Sequence, residues 1–263
     1  MASPVYALIF AGGAGTRMQH EDNLPKQFIK VGEVPIIVHT LRRFQECDAV
    51  DHIYVVSIAS YIDYVKELAT DFGITKVVGV LRGGSTALES IFLGLRRMIT
   101  DGVDEDAIVL IHDGVRPIIT DSLIRENIDV TAAEGNAISS IPAYETVASR
   151  VLDTDLVEEI ADRKRMLVLQ APQTFRLGHV YDVNVRAERA GLLGAFVDQA
   201  HMQSYYGHKL HLVPGLRGNV KITFPEDVRY FTYLVDTGAY ARILEENAPV
   251  GSYQDSDTPP DSV

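Results

Sequence analysis

Short apolar runs alternate with stretches of helical periodicity along most of this chain. That alternation limits the fold more than any single residue does. Apolar runs at 5–10, 53–58, 76–80, 107–111 and 137–141 have the length of buried strands. Between them, residues 35–44, 61–72, 87–99 and 122–133 read as helices. In the third of these, Leu88, Ile91, Leu95 and Ile99 recur on one helical face. Strands and helices alternating at this spacing form βαβ units. The expected architecture is therefore α/β: a Rossmann-like, mainly parallel sheet flanked by helices on both faces. Such sheets bind ligands beyond the carboxyl ends of their strands. The rule selects three loops, those after Phe10, Val80 and Ile111.

The pattern breaks between 144 and 165. Residues 146–151 alternate like an exposed strand, 153–155 form a turn, and 157–160 read as a strand again. This is a β-hairpin projecting from the α/β body. Helices resume at about 178–190, 197–206 and 226–246. Residues 1–247 thus read as a single domain carrying an arm at about 144–163. Residues 248–263, rich in Gly, Ser, Asp and Pro, read as a disordered tail.

Composition removes several function classes. With 46% hydrophobic residues, 263 residues are enough for a sizeable core. A net charge of −12 argues against a general nucleic-acid binder, whose affinity rests on phosphate contacts. Cys47 is the single cysteine, so no intramolecular disulfide and no cysteine-based zinc site can form. No basic leader precedes the first apolar run and no run approaches the ~18 residues of a membrane span. The expected setting is the cytoplasm, with no membrane partner.

The first selected loop reads Ala11-Gly12-Gly13-Ala14-Gly15-Thr16-Arg17-Met18. Its glycines let backbone N–H groups approach a phosphate or base closely. It is neither a Walker loop nor the dinucleotide fingerprint, because no Gly-Lys-Ser/Thr follows and Met18 stands at the third glycine position. A tight turn alone would also account for it. Arg17 and then Pro25-Lys26-Gln27-Phe28 add two cations near the glycines, which suits a triphosphate. At the fourth strand's end stands His112-Asp113-Gly114-Val115-Arg116-Pro117. Asp113 is placed to hold Mg²⁺ through oxygen, or to cap a turn. His112, with no second histidine at ligand spacing, reads as packed or hydrogen-bonded. Lys221 interrupts an apolar, strand-like run at 218–223, which is harder to dismiss than a surface lysine. Glu226 and Asp227 read as caps of the last helix. Arg163-Lys164-Arg165 reads equally as a solvated face or an anion site.

Together these segments resemble the sugar- and polyol-phosphate cytidylyltransferases. That family includes the 2-C-methyl-D-erythritol 4-phosphate and the ribitol-5-phosphate enzymes. The resemblance runs in order over roughly residues 5–245. It rests on the glycine loop, Pro25-Lys26-Gln27-Phe28, Gly83-Gly84 with Ser90, His112-Asp113-x-x-Arg116-Pro117, Pro172-Gln173-x-Phe175, and Asn219-x-Lys221-Ile222-Thr223 before Pro225-Glu226-Asp227. It implies that Arg17 and Lys26 bind the CTP phosphates and, with Lys221, stabilise the transfer. Ala11, Gly12, Gly13, Ala14, Gly15, Gly83, Gly84 and Ser90 would hold the cytosine and ribose. Asp113 would coordinate Mg²⁺ or contact the polyol. Arg116, Arg163 and Lys221 would hold the acceptor phosphate. The arm would cross to a second subunit of a homodimer and carry Thr146 and Arg163 into its site.

Three positions depart from the family pattern. Ala87 stands where an arginine is usual, Ala171 where a threonine is usual, and Asp198-Gln199-Ala200 replaces a more acidic run. Segments 23–28 and 115–120 look closer to the ribitol-phosphate branch, so the expected reaction is CMP transfer from CTP to D-ribitol 5-phosphate. Methylerythritol phosphate is the alternative acceptor. A non-catalytic nucleotide-binding homologue is an alternative of another class, suggested by Ala87 and Ala171. A metal-dependent glycosyltransferase fits less well, since no D-x-D follows an apolar strand.

Overall fold

The computed structural model describes residues 3–13 and 24–245. The chain opens with β1 (Val5–Ala11). A short antiparallel pair, β2 (Lys30–Val31) and β3 (Val34–Pro35), leads into α1 (Ile36–Glu46). Then follow β4 (His52–Ser57), α2 (Ile62–Asp71), β5 (Val77–Arg82), α3 (Ala87–Thr100), β6 (Ile108–Asp113), α4 (Asp121–Glu134) and β7 (Asn136–Pro142). The hairpin strands are β8 (Ala148–Arg150) and β9 (Val157–Ile160). The chain returns through β10 (Leu167–Arg176), α5 (Leu177–Arg189), α6 (Gln199–Tyr205), β11 (Leu212–Pro214), α7 (Pro225–Asp236) and α8 (Ala239–Glu245).

Among the described residues the main sheet runs β11-β7-β10-β6-β1-β4-β5. Every neighbouring pair is parallel except those made by β10, which runs antiparallel to both β6 and β7. Alternation along β1 sorts its side chains into two layers. Ala7 and Ile9 pack with α1, α2 and α4, while Leu8 packs with α3, α5 and α6. This two-sided burial is why the strands read as continuous apolar runs. A third cluster joins Val115, Ile118, Ile222, Phe231 and Leu234, and so fixes α7 and the segment before it against the chain after β6.

Two sequence expectations are corrected, and two strands appear that the sequence did not show. The run at 218–223 pairs in no strand: it begins in a turn, where Asn219 N–H donates to the Leu216 carbonyl and Val220 N–H to that of Gly218, and Ile222 is buried with its N–H donating to the Val115 carbonyl. The helix expected at 226–246 ends at Asp236 and restarts at Ala239, because Gly238 adopts φ +69° and its N–H returns to the Val235 carbonyl. β10 and β11 were not legible as strands. Pro172 argues against a central strand, and β10 admits it where the pairing register shifts between Leu169 and Gln173. The hairpin forms where expected, with Asp153 at φ +60° in its turn.

Candidate active site

The loops after β1, β5 and β6 meet at the carboxyl edge of the sheet. In register, Phe10 lies beside Asp113 and Ala11 beside Ser57. The Gln27 side-chain amide donates to the carbonyls of Ala11 at 2.7 Å and Gly13 at 3.3 Å. It therefore ties the described part of the glycine loop to the turn that presents Lys26. Phe28, buried and stacked on Tyr61 with centroids 4.6 Å apart, anchors that turn from below. Lys26 Nζ donates to the Ile222 carbonyl at 2.8 Å. Ala14, Gly15 and Arg17 lie outside the described residues.

The second glycine pair packs directly under the first. Gly83 N–H donates to the Ser57 carbonyl. Ser90 Oγ accepts from Gly84 N–H at 3.1 Å and donates to the Thr86 carbonyl at 2.8 Å. A Cβ on Gly12 would stand 2.9 Å from that oxygen, and one on Gly83 2.8 Å, so glycine is required at both for the loops to touch. Thr86 caps α3 through Glu89 N–H, and Glu89 accepts from Ser85 N–H and Oγ. Those bonds hold the Glu89 carboxyl below the usual range, the Ser85 hydroxyl first.

The charged centre is Asp113, 5% exposed. Lys221 Nζ lies 2.5 Å from one of its oxygens and Arg116 Nε donates to the other at 2.8 Å. Arg116 also donates to the Asn219 carbonyl. Burial alone would raise the Asp113 carboxyl; the charges and hydrogen bonds of Arg116 and Lys221 outweigh it and hold it at about 2. His112 behind it is fully buried, donates from Nε2 to the Arg116 carbonyl at 3.0 Å, and is held neutral by burial, which lowers it to about 4. It is a packed histidine against Phe44. Asp227 caps α7 by accepting from the N–H groups of Thr223 and Phe224, while Glu226 pairs with Arg229 at the surface.

These residues line a cleft of two lobes. Ala11, Gly12, Gly13, Lys26, Gly84 and Ser90 line the first. Arg116 lines the second, with Gln170, Gln173 and Asp198. Phe10, Ala87, Asp113 and Lys221 face both and mark the boundary. Gly83 lies beneath Ser90. Thr146 and Arg163 are not part of either lobe: both are exposed beside the hairpin, where Arg163 Nη1 donates to the Tyr144 carbonyl. Ala87, without a long side chain, leaves the two lobes contiguous.

Sequence reading assigned no role to Gln27, Gln170 or Thr223. Gln27 falls in a motif that was noticed for its lysine. Gln170 has no local signal at all; its amide donates to the Leu216 carbonyl, 46 residues away. Gln27→Ala should loosen the glycine loop. Losing one or two amide bonds of about 1 kcal/mol each predicts a KM for the nucleotide raised about fivefold, with kcat changed less. Steady-state kinetics with an unchanged KM would show that the loop holds its shape without it.

Asp113 is the one carboxylate among the described residues lining the first lobe, and no cluster of three metal-ligating side chains occurs among those residues. Both of its oxygens already face cations. This donor set does not make a resident metal centre. It fits a Mg²⁺ that arrives chelated by phosphates, the usual way that ion is held, with Asp113 as its protein anion.

Residues 5–236 match the family described as IspD, 2-C-methyl-D-erythritol 4-phosphate cytidylyltransferase. The ribitol-5-phosphate cytidylyltransferase of Vibrio parahaemolyticus is 41% identical over 88% of this chain and 95% of its own. The 2-C-methyl-D-erythritol 4-phosphate cytidylyltransferase of Geotalea uraniireducens is 38% identical over 85% and 93%. Among solved structures, the 2-C-methyl-D-erythritol 4-phosphate cytidylyltransferase of Francisella tularensis superposes with a TM-score of 0.72 at 26% identity, covering 88% of this chain and 99% of that one. The glycine loops, the lysines at 26 and 221 and the buried Asp113 thus sit in a chain that belongs to the IspD family of CTP-dependent cytidylyltransferases.

Proposed function

We propose that this chain transfers CMP from CTP to D-ribitol 5-phosphate, giving CDP-ribitol and pyrophosphate. The similarity to curated ribitol-5-phosphate cytidylyltransferases, at 41% identity, carries the choice of acceptor. Methylerythritol phosphate is the second reading, favoured by the description of the matching family. The chemistry needs no side-chain base. A phosphomonoester has a second pKa near 6, so it is largely dianionic at neutral pH and its oxygen attacks the α-phosphorus directly. The chain must align the two phosphates and offset the charge that builds on them. Lys221 at the boundary of the lobes faces the point of transfer. Lys26 and Arg17 serve the triphosphate from the glycine-loop side. Asp113 holds Lys221 and Arg116 in place, and a bound Mg²⁺ would neutralise phosphate charge. No helix among the described residues is long and apolar enough to cross a membrane.

The proposal includes a homodimer built by the arm. Leu152, Leu156, Val157 and Ile160 are each more than 60% exposed on the hairpin, a costly arrangement unless a second surface covers them. A twofold dimer is the commonest closed assembly. In it, Thr146 and Arg163 would complete the neighbouring cleft. Mixing an inactive Lys26→Ala chain with an inactive Arg163→Ala chain should then restore activity, since one cleft of the mixed dimer keeps both residues. No recovery after demonstrated subunit exchange would place Arg163 in its own chain's chemistry or outside it altogether.

The acceptor is tested by comparing kcat/KM for D-ribitol 5-phosphate and methylerythritol phosphate, with CTP fixed and the nucleotide product identified by mass. Ribitol phosphate is expected to win by at least tenfold. A preference for methylerythritol phosphate would replace the first reading by the second.

A further inference from the structure

The second lobe is charged differently along its length. At the boundary with the first lobe stand Lys221 and Arg116, two cations around the Asp113 carboxylate. Asp198 lines the second lobe only. It is held by Gln173, whose amide donates to Asp198 Oδ2 at 2.8 Å and whose carbonyl oxygen accepts from Ala200 N–H. Gln173 pairs in register with Ile111, two residues before Asp113 on β6. At about 3.3 Å per residue, that sets the Gln173–Asp198 pair roughly 7 Å along the strand from the level of Asp113.

An acceptor that is anionic at one end and hydroxylated at the other can lie in this lobe in one direction. Its phosphate is attracted to the Lys221–Arg116 end and repelled by Asp198. Its hydroxyls then reach a carboxylate whose oxygens each keep a lone pair beyond the bonds to Gln173 and to His201 N–H. Leu88, Ile91 and Leu169 supply apolar wall along the way, suited to the C–H faces of an extended polyol. We propose that Asp198, oriented by Gln173, binds the distal hydroxyls of the acceptor and makes the enzyme select a polyol phosphate by length. This rests on the polyol-phosphate reading and names the residue within it that sets specificity. A five-carbon chain carries its distal hydroxyls past the offset, whereas a three-carbon chain carries fewer and ends near it.

The test uses Asp198→Asn, because asparagine caps a helix as well as aspartate does and keeps the bond from His201 N–H, while it removes the charge and the oxygen that accepts from Gln173. Hydrogen bonds to a charged acceptor are among the stronger ones a site can make. The variant should therefore lose about tenfold or more in kcat/KM for D-ribitol 5-phosphate, through the acceptor KM, with the KM for CTP unchanged. For sn-glycerol 3-phosphate, kcat/KM (or the inhibition constant, where it is not turned over) should stay at the wild-type value. Asp198→Ser, which also caps, should behave the same way. Equal losses on both acceptors, or no loss on ribitol phosphate, overturns the assignment. If the wild-type enzyme turns over no polyol phosphate, the functional reading fails and the assignment with it. If it uses methylerythritol phosphate alone, only the ribitol reading fails, and the same comparison on that acceptor decides the role of Asp198.

Discussion

Lys221→Ala is expected to lower turnover by about 10²–10³, the usual cost of removing a group aimed at transition-state charge. Lys26→Ala should fall in the same range. The two lysines approach the cleft from different elements, Lys26 from the turn after the glycine loop and Lys221 from the segment before α7. Neither loss should be a folding effect. The Lys221 side chain is 42% exposed, and Asp113 keeps Arg116 when Lys221 is gone. The stability lost with such a partly exposed pair is about 1 kcal/mol at most. Lys221→Arg should recover only part of the rate, since a planar guanidinium does not replace a point charge at one phosphate oxygen. Single-turnover rates with thermal unfolding alongside separate the two effects. A Lys221→Ala enzyme with near-normal single-turnover rate would remove that residue from the chemistry.

Asp113→Asn should damage both rate and stability. It leaves Arg116, 15% exposed, and Lys221 without their anion, and breaking a buried pair on one side costs about 3 kcal/mol or more. It should also change how the protein responds to acid. The Asp113 carboxyl sits at about 2 in the folded chain and near 3.9 when unfolded. Its pairing therefore contributes stability that is complete above pH ~4 and is lost as pH falls from about 4 to 2, some 2–3 kcal/mol in all. His112 acts in a separate window. Burial holds it at about 4 against about 6.5 unfolded, so the unfolded chain takes up the proton first, and stability falls as pH drops from about 6.5 to 4. Denaturant unfolding across pH should show both declines in the wild type. Asp113→Asn should keep the upper one and lack the lower. An unchanged decline between pH 4 and 2 in the variant would show that other carboxylates carry it.

The parallel core was legible because its strands are buried on both faces and therefore read as apolar runs. β10 was hidden by the opposite circumstance. Gln170 and Gln173 place polar residues in the middle of the sheet, where they line the second lobe, and Pro172 between them interrupts the pattern further. The short pair β2–β3 and the three-residue β11 are too brief for periodicity to register. In the site, Lys26, Asp113 and Lys221 were visible as charges out of place beside glycines or apolar runs. What sequence could not show is that Asp113 is already paired with both Lys221 and Arg116, which makes this candidate metal ligand a clamp on two cations as well. Nor could it show Gln27 and Asn219, whose amides reach carbonyls 16 and 48 residues away. Such bonds exist only after the three loops have met.

The most direct measurement is pyrophosphate release by the wild-type chain with CTP and Mg²⁺, with and without a polyol phosphate. The account predicts release that requires both substrates, matches CDP-polyol one for one, favours CTP over ATP, GTP and UTP, and stops in excess chelator. Pyrophosphate formed without an acceptor, or tight CTP binding with no release against any polyol phosphate, would contradict it.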